Sequence, residues 1–110
     1  MTIREAAAAL GAELVQDHFD DIPLTGAYSS DLLSDVLAHA EGGNVLITVQ
    51  AHRNTIAVAC VKKLPAVIIC NNQTIPPDTL EAAGNKGVAL LRTNKNQADV
   101  SGILYKFFHL

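Results

Sequence analysis

The sequence is poor in the residues on which nucleic-acid and membrane proteins depend. Its 110 residues include no Trp, aromatic residues make up 5%, and no run of Lys and Arg exceeds the pair Lys62-Lys63. A phosphate backbone would find few cations here, and bases would find few rings to stack on. No apolar run approaches about 18 residues and no signal peptide is recognisable, so we predict a soluble, cytoplasmic protein that binds neither nucleic acid nor a membrane.

Motifs of the common catalytic and cofactor sites are also missing. The glycines fit neither a dinucleotide-binding fingerprint nor a P-loop. The four histidines lack metal-ligand spacing, and no nucleophile-elbow motif accompanies a serine. Cys60 and Cys70 lie in apolar runs without C-x-x-C spacing, which favours two small buried side chains over a redox pair or a metal site. We therefore predict no metal and no cofactor.

The chain is apolar for its length. Hydrophobic residues make up 49% and charged residues 17%, and the net charge is −3. A chain of this length suits a single domain, here 1–110, that buries roughly two-thirds of its unfolded surface. The apolar excess predicts a partly apolar surface that self-association covers, most simply in a homodimer.

Hydrophobic periodicity predicts an alternation of helices and strands. We expect helices over 2–11, from Ser29 or Ser30 to Gly42, over 54–64, from Pro77 to a break at Gly84, and from about Gln97. Thr2 with Glu5 and Asp78 with Glu81 have the spacing of a capping box, and Gly11 suits a helix stop. In the second helix an apolar stripe should be formed by Leu32, Leu33, Val36, Leu37 and Ala40. We expect strands over 13–16, 24–28, 44–49, 66–70 and 88–91. The strands at 44–49 and 66–70 are apolar on both faces, which is typical of a parallel sheet. The pattern predicts a three-layer α/β/α fold with a mainly parallel sheet.

The predicted helix at 54–64 has few polar positions. Such a helix should be buried, either between layers or in a subunit interface. Together with the apolar composition, this segment favours a protein that self-associates.

Polar residues recur at the carboxyl ends of the predicted parallel strands, where open α/β sheets bind ligands. The clusters are 29–31, 50–55, 71–73 and 93–96. One interpretation is a shared ligand rim, in which Arg53 and Lys95 hold a phosphate or carboxylate. The alternative is that each cluster only caps the helix that follows it. Capping alone would account for Ser30, Asn54 or Thr55, Asp78 and Asn96.

Capping explains the central cluster less well. We take as candidate ligand-binding residues Gln50, His52, Arg53 and Asn54, with Ser30, Asp31 and Thr93 as neighbours. Arg53 is the charged group of the central cluster, so the expected ligand is an anionic metabolite or a nucleotide. An enzyme is the least favoured hypothesis, because only His52 stands where a general base would be useful. No catalytic residue is predicted.

Two segments of the chain resemble the DRTGG domain family, and above all its small stand-alone members. Residues 25–36 read TGAYSSDLLSDV and residues 47–54 read ITVQAHRN, close to the family's T-G-x-Y-x-S-D-L-L-S-D-V core and I-T-x-Q-x-H-x-N strand end. The apolar strand at 66–70, Pro77-Asp78 before a helix and the Leu91-Arg92-Thr93 strand end also fit. The resemblance covers roughly residues 10–108.

The resemblance implies an α/β/α domain similar to the N-terminal domain of HPr kinase/phosphorylase. Related domains occur in some phosphotransacetylases and beside CBS domains in regulated pyrophosphatases, where they are associated with oligomer contacts and regulation rather than catalysis. Larger branches carry an Asp-Arg pair at the strand end, and His52-Arg53 stands here instead. Some stand-alone relatives are labelled as serine kinases of HPr, but this chain lacks the P-loop that such a kinase needs.

These features favour a non-catalytic regulatory or interaction module that self-associates and senses a small anionic ligand at the strand ends. The alternative is a dedicated binding protein for a nucleotide or a phosphorylated metabolite. A partner protein is a further expectation for either function.

Overall fold

The computed structural model describes residues 1–108 and has a five-stranded sheet between two layers of helices. The elements are α1 (Ile3–Leu10), β1 (Glu13–Gln16), β2 (Gly26–Ser29), α2 (Leu33–His39), β3 (Asn44–Thr48), α3 (Arg53–Lys62), β4 (Ala66–Ile69), α4 (Pro77–Lys86), β5 (Ala89–Arg92) and α5 (Gln97–Phe108). The strand order is β1-β5-β4-β3-β2, with β2 to β5 parallel and β1 antiparallel to β5. The predicted three-layer α/β fold with a mainly parallel sheet is confirmed.

Two cores form because side chains of each strand alternate between the faces of the sheet. On one face, Val45, Ile47 and Leu91 pack with α1 and α5. On the other, Leu46 and Leu90 pack with α2, α3 and α4. Burial on both faces explains why β3 and β4 are continuous apolar runs.

The parallel strands all end at one edge of the sheet, and a helix begins close to each of those ends. We call this edge the strand-end rim and define it as residues 29–31, 48–55, 70–73 and 93–97. The predicted polar clusters therefore do lie along one edge, in the spatial order set by β5, β4, β3 and β2.

Helix α1 follows its sequence signals closely. Thr2 Oγ1 accepts the Glu5 N–H and Glu5 Oε1 accepts the Thr2 N–H, which forms the predicted capping box. Gly11 ends the helix with φ 62°, a left-handed conformation that glycine adopts without strain.

The predicted start of α2 is wrong. Leu32 occupies the N-cap position without a side-chain cap bond, and Ser30 Oγ instead accepts the Leu32 N–H in a local turn. Val36 and Ala40 are buried as predicted, but Leu32 is 64% and Leu37 43% exposed. The helix has seven residues and lies at the end of its layer, beside α3 and over the sheet, so part of its apolar stripe stays exposed.

Helix α3 begins earlier than predicted and is less buried. Its N-cap is His52, with no side-chain cap bond, so neither Asn54 nor Thr55 is the cap. The expectation that the helix is enclosed between layers is wrong, since Val61 is 72% exposed. As the middle helix of its layer, between α2 and α4, it buries one face and leaves another in solvent.

The predictions for the ends of α4 and α5 have different outcomes. The capping box expected from Asp78 and Glu81 does not form, and α4 continues through Gly84 until Gly87 ends it with φ 66°. The cap predicted for α5 is correct, because Asn96 Oδ1 accepts the Asp99 N–H at 2.9 Å.

Candidate functional site

Asp31 joins three segments at the β2–β3 part of the strand-end rim. Its Oδ1 accepts hydrogen bonds from Thr48 Oγ1 at 2.9 Å, the Val49 N–H at 2.9 Å and Gln97 Nε2 at 3.2 Å. Gln97 Nε2 also lies 3.4 Å from Ser29 Oγ. The carboxylate thus holds the end of β3 to the first residue of α5 across the edge of the sheet.

We predict that Asp31→Ala loosens this part of the rim. Thr48 is buried, and the substitution removes the acceptor of its hydroxyl, so the free energy of unfolding should fall by about 1–2 kcal/mol. Urea unfolding gives the loss, and faster amide exchange at Val49 localises it. Ser34→Ala, on the exposed surface of α2, is the control, and equal losses in both variants would contradict a brace at Asp31.

Buried threonines fix the backbone between β3 and α3. Thr48 Oγ1 accepts the Gln50 N–H at 3.1 Å, and Thr55 Oγ1 donates to the Gln50 carbonyl at 2.8 Å. Thr79 Oγ1 of α4 donates to the Ala51 carbonyl at 2.9 Å. The loop is thereby held from three elements, and the side chains that follow it start from a fixed position.

The first residues of α3 present a cation and free donors to solvent. The side chains of His52, Arg53 and Asn54 are exposed, and none forms a hydrogen bond or ion pair with another residue of 1–108. Within the same residues, the backbone N–H groups of Arg53 and Asn54 also lack acceptors. The positive end of the helix dipole adds to the guanidinium charge here, so the arrangement suits an anion.

The structure divides the predicted site residues into separate groups. Gln50, His52, Arg53 and Asn54 follow β3, with Ser30 and Asp31 beside them after the neighbouring strand β2. Thr93 follows β5, which β4 separates from β3, so about 10 Å of sheet lies between them. The Thr93 Oγ1 accepts the Lys95 N–H at 3.2 Å.

Lys95 does not join the central group. Its Nζ donates at 2.8 Å to the Leu10 carbonyl, at the end of α1. This ammonium therefore neutralises part of the helix dipole of α1 instead of extending the cationic surface around Arg53.

A groove between α3 and α4 borders the start of α3. Its volume is about 450 Å³, within the range of small-molecule sites. Arg53 lines it together with Ile56, Ala57, Cys60, Asp78, Glu81, Ala82, Asn85 and Lys86. Arg53 therefore belongs both to the strand-end rim and to this groove, a position that the sequence pattern does not reveal.

A second polar contact ties β2 to α2. The Tyr28 hydroxyl donates to Asp35 Oδ2 at 2.8 Å, and this hydrogen bond lowers the pKa of the Asp35 carboxyl and raises that of the Tyr28 phenol. His39 Nε2 lies 3.9 Å from Asp35 Oδ1. This pair holds α2 in place beside the rim, and the stability it provides is lost as the pH falls through the lowered pKa of Asp35.

The cysteines fit a structural role. Cys70 is buried, and burial raises the pKa of its thiol to about 11, so the reactive thiolate is disfavoured. Cys60 is half-buried on α3.

The residues from 1 to 108 contain no group of three His, Cys, Asp or Glu side chains placed to hold a metal ion. None of the helices in this range combines the length and apolar character needed to cross a bilayer.

A solved structure shares the fold of this chain. The chain is similar to the CBS and DRTGG domains of the regulatory region of Clostridium perfringens pyrophosphatase, solved in complex with the activator diadenosine tetraphosphate. The TM-score is 0.74 at 13% identity, over 94% of this chain. The chain spans 45% of the length of that relative, so the likeness concerns the fold.

Comparison with protein families gives a match to the model described as "HPr Serine kinase N terminus". The match covers residues 46–108, which is more than half of the chain and runs from β3 through α5. Comparison with curated proteins returns no match. With the shared fold, the family match confirms the resemblance found in the sequence: the chain belongs to the family of HPr serine kinase N-terminal domains and has the DRTGG-type fold.

Proposed function

We propose that this chain is a non-catalytic regulatory module that binds a small phosphate-bearing ligand, of the nucleotide class, at the start of α3. The observation that carries this proposal is the exposed guanidinium of Arg53 beside the N–H groups of a helix start, all of which lack partners within residues 1–108. A phosphate accepts from both kinds of donor, and arginine binds it with two parallel hydrogen bonds.

The relative in the pyrophosphatase supports the ligand class. There the same fold belongs to a regulatory region whose activator is a dinucleotide with four phosphates. In this chain the neighbouring side chains His52 and Asn54 can add donors to a phosphate. The α3–α4 groove, with Ile56 and Ala57 in its lining, offers apolar surface to the rest of the ligand.

A binding role is favoured over a catalytic one. A general base needs a fixed orientation toward the proton it takes, and the His52 ring has no hydrogen bond to any residue in 1–108 that would hold it. We also propose that the module self-associates in the cytoplasm, because ligand binding near a contact between copies would shift assembly and so give a regulatory output.

The test is a thermal-shift comparison of the wild type with Arg53→Ala. The probes are ATP, diadenosine tetraphosphate, a sugar phosphate and citrate. A ligand at about 100 times its dissociation constant stabilises a protein by roughly 2.7 kcal/mol, which raises the melting temperature of a domain of this size by about 10 °C. We expect a shift with a phosphate-bearing probe in the wild type and its loss in Arg53→Ala.

The matched control is Lys106→Ala, which removes a cation from the exposed far end of α5. It should keep the full shift, since Lys106 lies away from the strand-end rim. Absence of any shift in the wild type, or equal losses in the two variants, would rule out Arg53 as the anion-binding group.

A further inference from the structure

The sheet ends on one side in a strand with a free edge. β2 pairs only with β3 within residues 1–108. The Ser30 N–H donates to the Ile47 carbonyl of β3, and successive peptide groups of a strand point in opposite directions. Tyr28 therefore also directs its peptide group at β3, while Ala27 and Ser29 direct theirs outward. Both of these residues are exposed.

The two edges of the sheet differ in how they are protected. On the β1 side, a register shift between Leu14 and Gln16 interrupts the edge, and the segment 13–21 carries four acidic residues. Bulges and charges are the usual means of keeping an edge strand from pairing with another chain. On the β2 side the register is continuous and the segment 22–30 has no charged residue. The β2 edge thus lacks the protection that the β1 edge has.

Exposed apolar side chains concentrate around the β2 edge. The large exposed apolar residues of the described chain are Ile22, Leu32, Leu37, Val61, Tyr105 and Phe107. Four of these six lie on elements next to β2: α2 with its N-cap, and α5, which packs on β2 and β3. Ile22 instead lines a cavity with Pro65 and Lys86, and Val61 lies on α3. Clustered exposed apolar surface is typical of an interaction site.

We propose that the β2 edge pairs antiparallel with the β2 edge of a second copy of this chain, joining the two sheets into one of ten strands. A two-fold axis brings the same segment of each copy together, and two free edges satisfy each other's peptide groups in that arrangement. Each copy has a net charge of −3, so an edge without charged residues allows two copies to approach without local charge repulsion. This inference rests on the self-association in the proposed function and names its surface.

The experiment measures the mass in solution by sedimentation equilibrium, from low to high micromolar concentration. The wild type should be a dimer. Ala27→Pro removes an outward N–H, which an edge strand tolerates in the folded monomer. It should raise the dissociation constant of the dimer at least about tenfold.

Leu37→Glu and Val61→Glu form a matched pair, since each places a carboxylate at an exposed apolar position of the same helical layer. We expect weaker association for Leu37→Glu and unchanged association for Val61→Glu.

Amide exchange of the wild type tests the strand pairing itself. The Ala27 and Ser29 amides should become protected as the protein concentration rises. If circular dichroism shows that Ala27→Pro is unfolded, this measurement on the wild type tests edge pairing in its place. A monomeric wild type overturns self-association and edge pairing together. A dimer that leaves both amides unprotected, or that Val61→Glu dissociates and Leu37→Glu does not, overturns edge pairing alone. Ligand binding is measured separately, so its failure is distinguishable from either result.

Discussion

Replacing Gly43 with alanine should lower the free energy of unfolding by about 3 kcal/mol or more. Gly43 has φ 89°, where side chains other than hydrogen are strained, and an added Cβ would lie 2.6 Å from Thr25 Oγ1 and 2.8 Å from Thr25 Cγ2. The backbone cannot easily move away, because the Gly43 N–H donates to the Lys63 carbonyl and its carbonyl accepts the Thr25 N–H. The start of β3 and the approach to β2 would be displaced together.

Urea unfolding and thermal melting measure the Gly43→Ala effect, and a loss of this size corresponds to a fall in melting temperature of about 12 °C. Gly102→Ala is the matched control. Gly102 lies within α5 and an added Cβ would meet no atom within 4 Å, so alanine there should stabilise the helix by up to about 1 kcal/mol. Opposite signs for the same substitution would confirm both assignments. A neutral Gly43→Ala would show that this turn can relax.

Gln16→Leu should cost a similar amount, about 3 kcal/mol. The side chain is buried at the end of β1, and its Nε2 donates to the Val88 carbonyl at 2.8 Å and lies 3.4 Å from the Ala83 carbonyl. Its Oε1 accepts the His18 N–H at 2.6 Å. Leucine has similar volume but supplies no polar atom, so the buried Val88 carbonyl and the His18 N–H would lose these partners.

Gln73→Leu is the control for Gln16→Leu because it makes the same change at an exposed position. It should alter the free energy of unfolding by less than about 0.5 kcal/mol. Denaturant unfolding of both variants gives the comparison. Equal changes in the free energy of unfolding for the two variants would contradict the prediction. They would mean that water can replace the Gln16 amide at the end of β1.

Residues 30–31 connect the proposed ligand site at the start of α3 to the proposed interface at β2. Ser30 and Asp31 directly follow β2, and Asp31 bonds the end of β3, which leads to Arg53. A ligand that orders the start of α3 can therefore influence the strand that would pair with a second copy. By linkage, association would then change ligand affinity by the same factor.

The sequence predicted those features of the fold well that depend on neighbouring residues alone. The capping box at Thr2 and Glu5 and the stop at Gly11 appear as predicted, since they need only neighbouring residues. Uninterrupted apolar runs identified β3 and β4, because strands buried on both faces have no polar side to alternate. Helix starts were harder, and Ser30 and Asn54 were wrongly given cap roles.

The candidate site was predicted only in part. The clustering of polar residues along one edge followed from strand direction, a general property of parallel sheets. The supporting bonds of Thr79 and Gln97 have no local signal, because their partners Ala51 and Asp31 lie far away in the sequence. Lys95 was a plausible anion ligand by spacing, yet its ammonium reaches α1 instead.

By itself, the sequence determined the order of helices and strands, the parallel sheet and the family, since these depend on periodicity and on short motifs. Tertiary structure decided which polar groups are satisfied and which are free. It tied Asp31 to Thr48 and Lys95 to Leu10, and it left the Arg53 side chain without a partner among residues 1–108. The difference has a physical reason: a hydrogen bond between distant residues depends on how layers pack, and no local pattern records that packing.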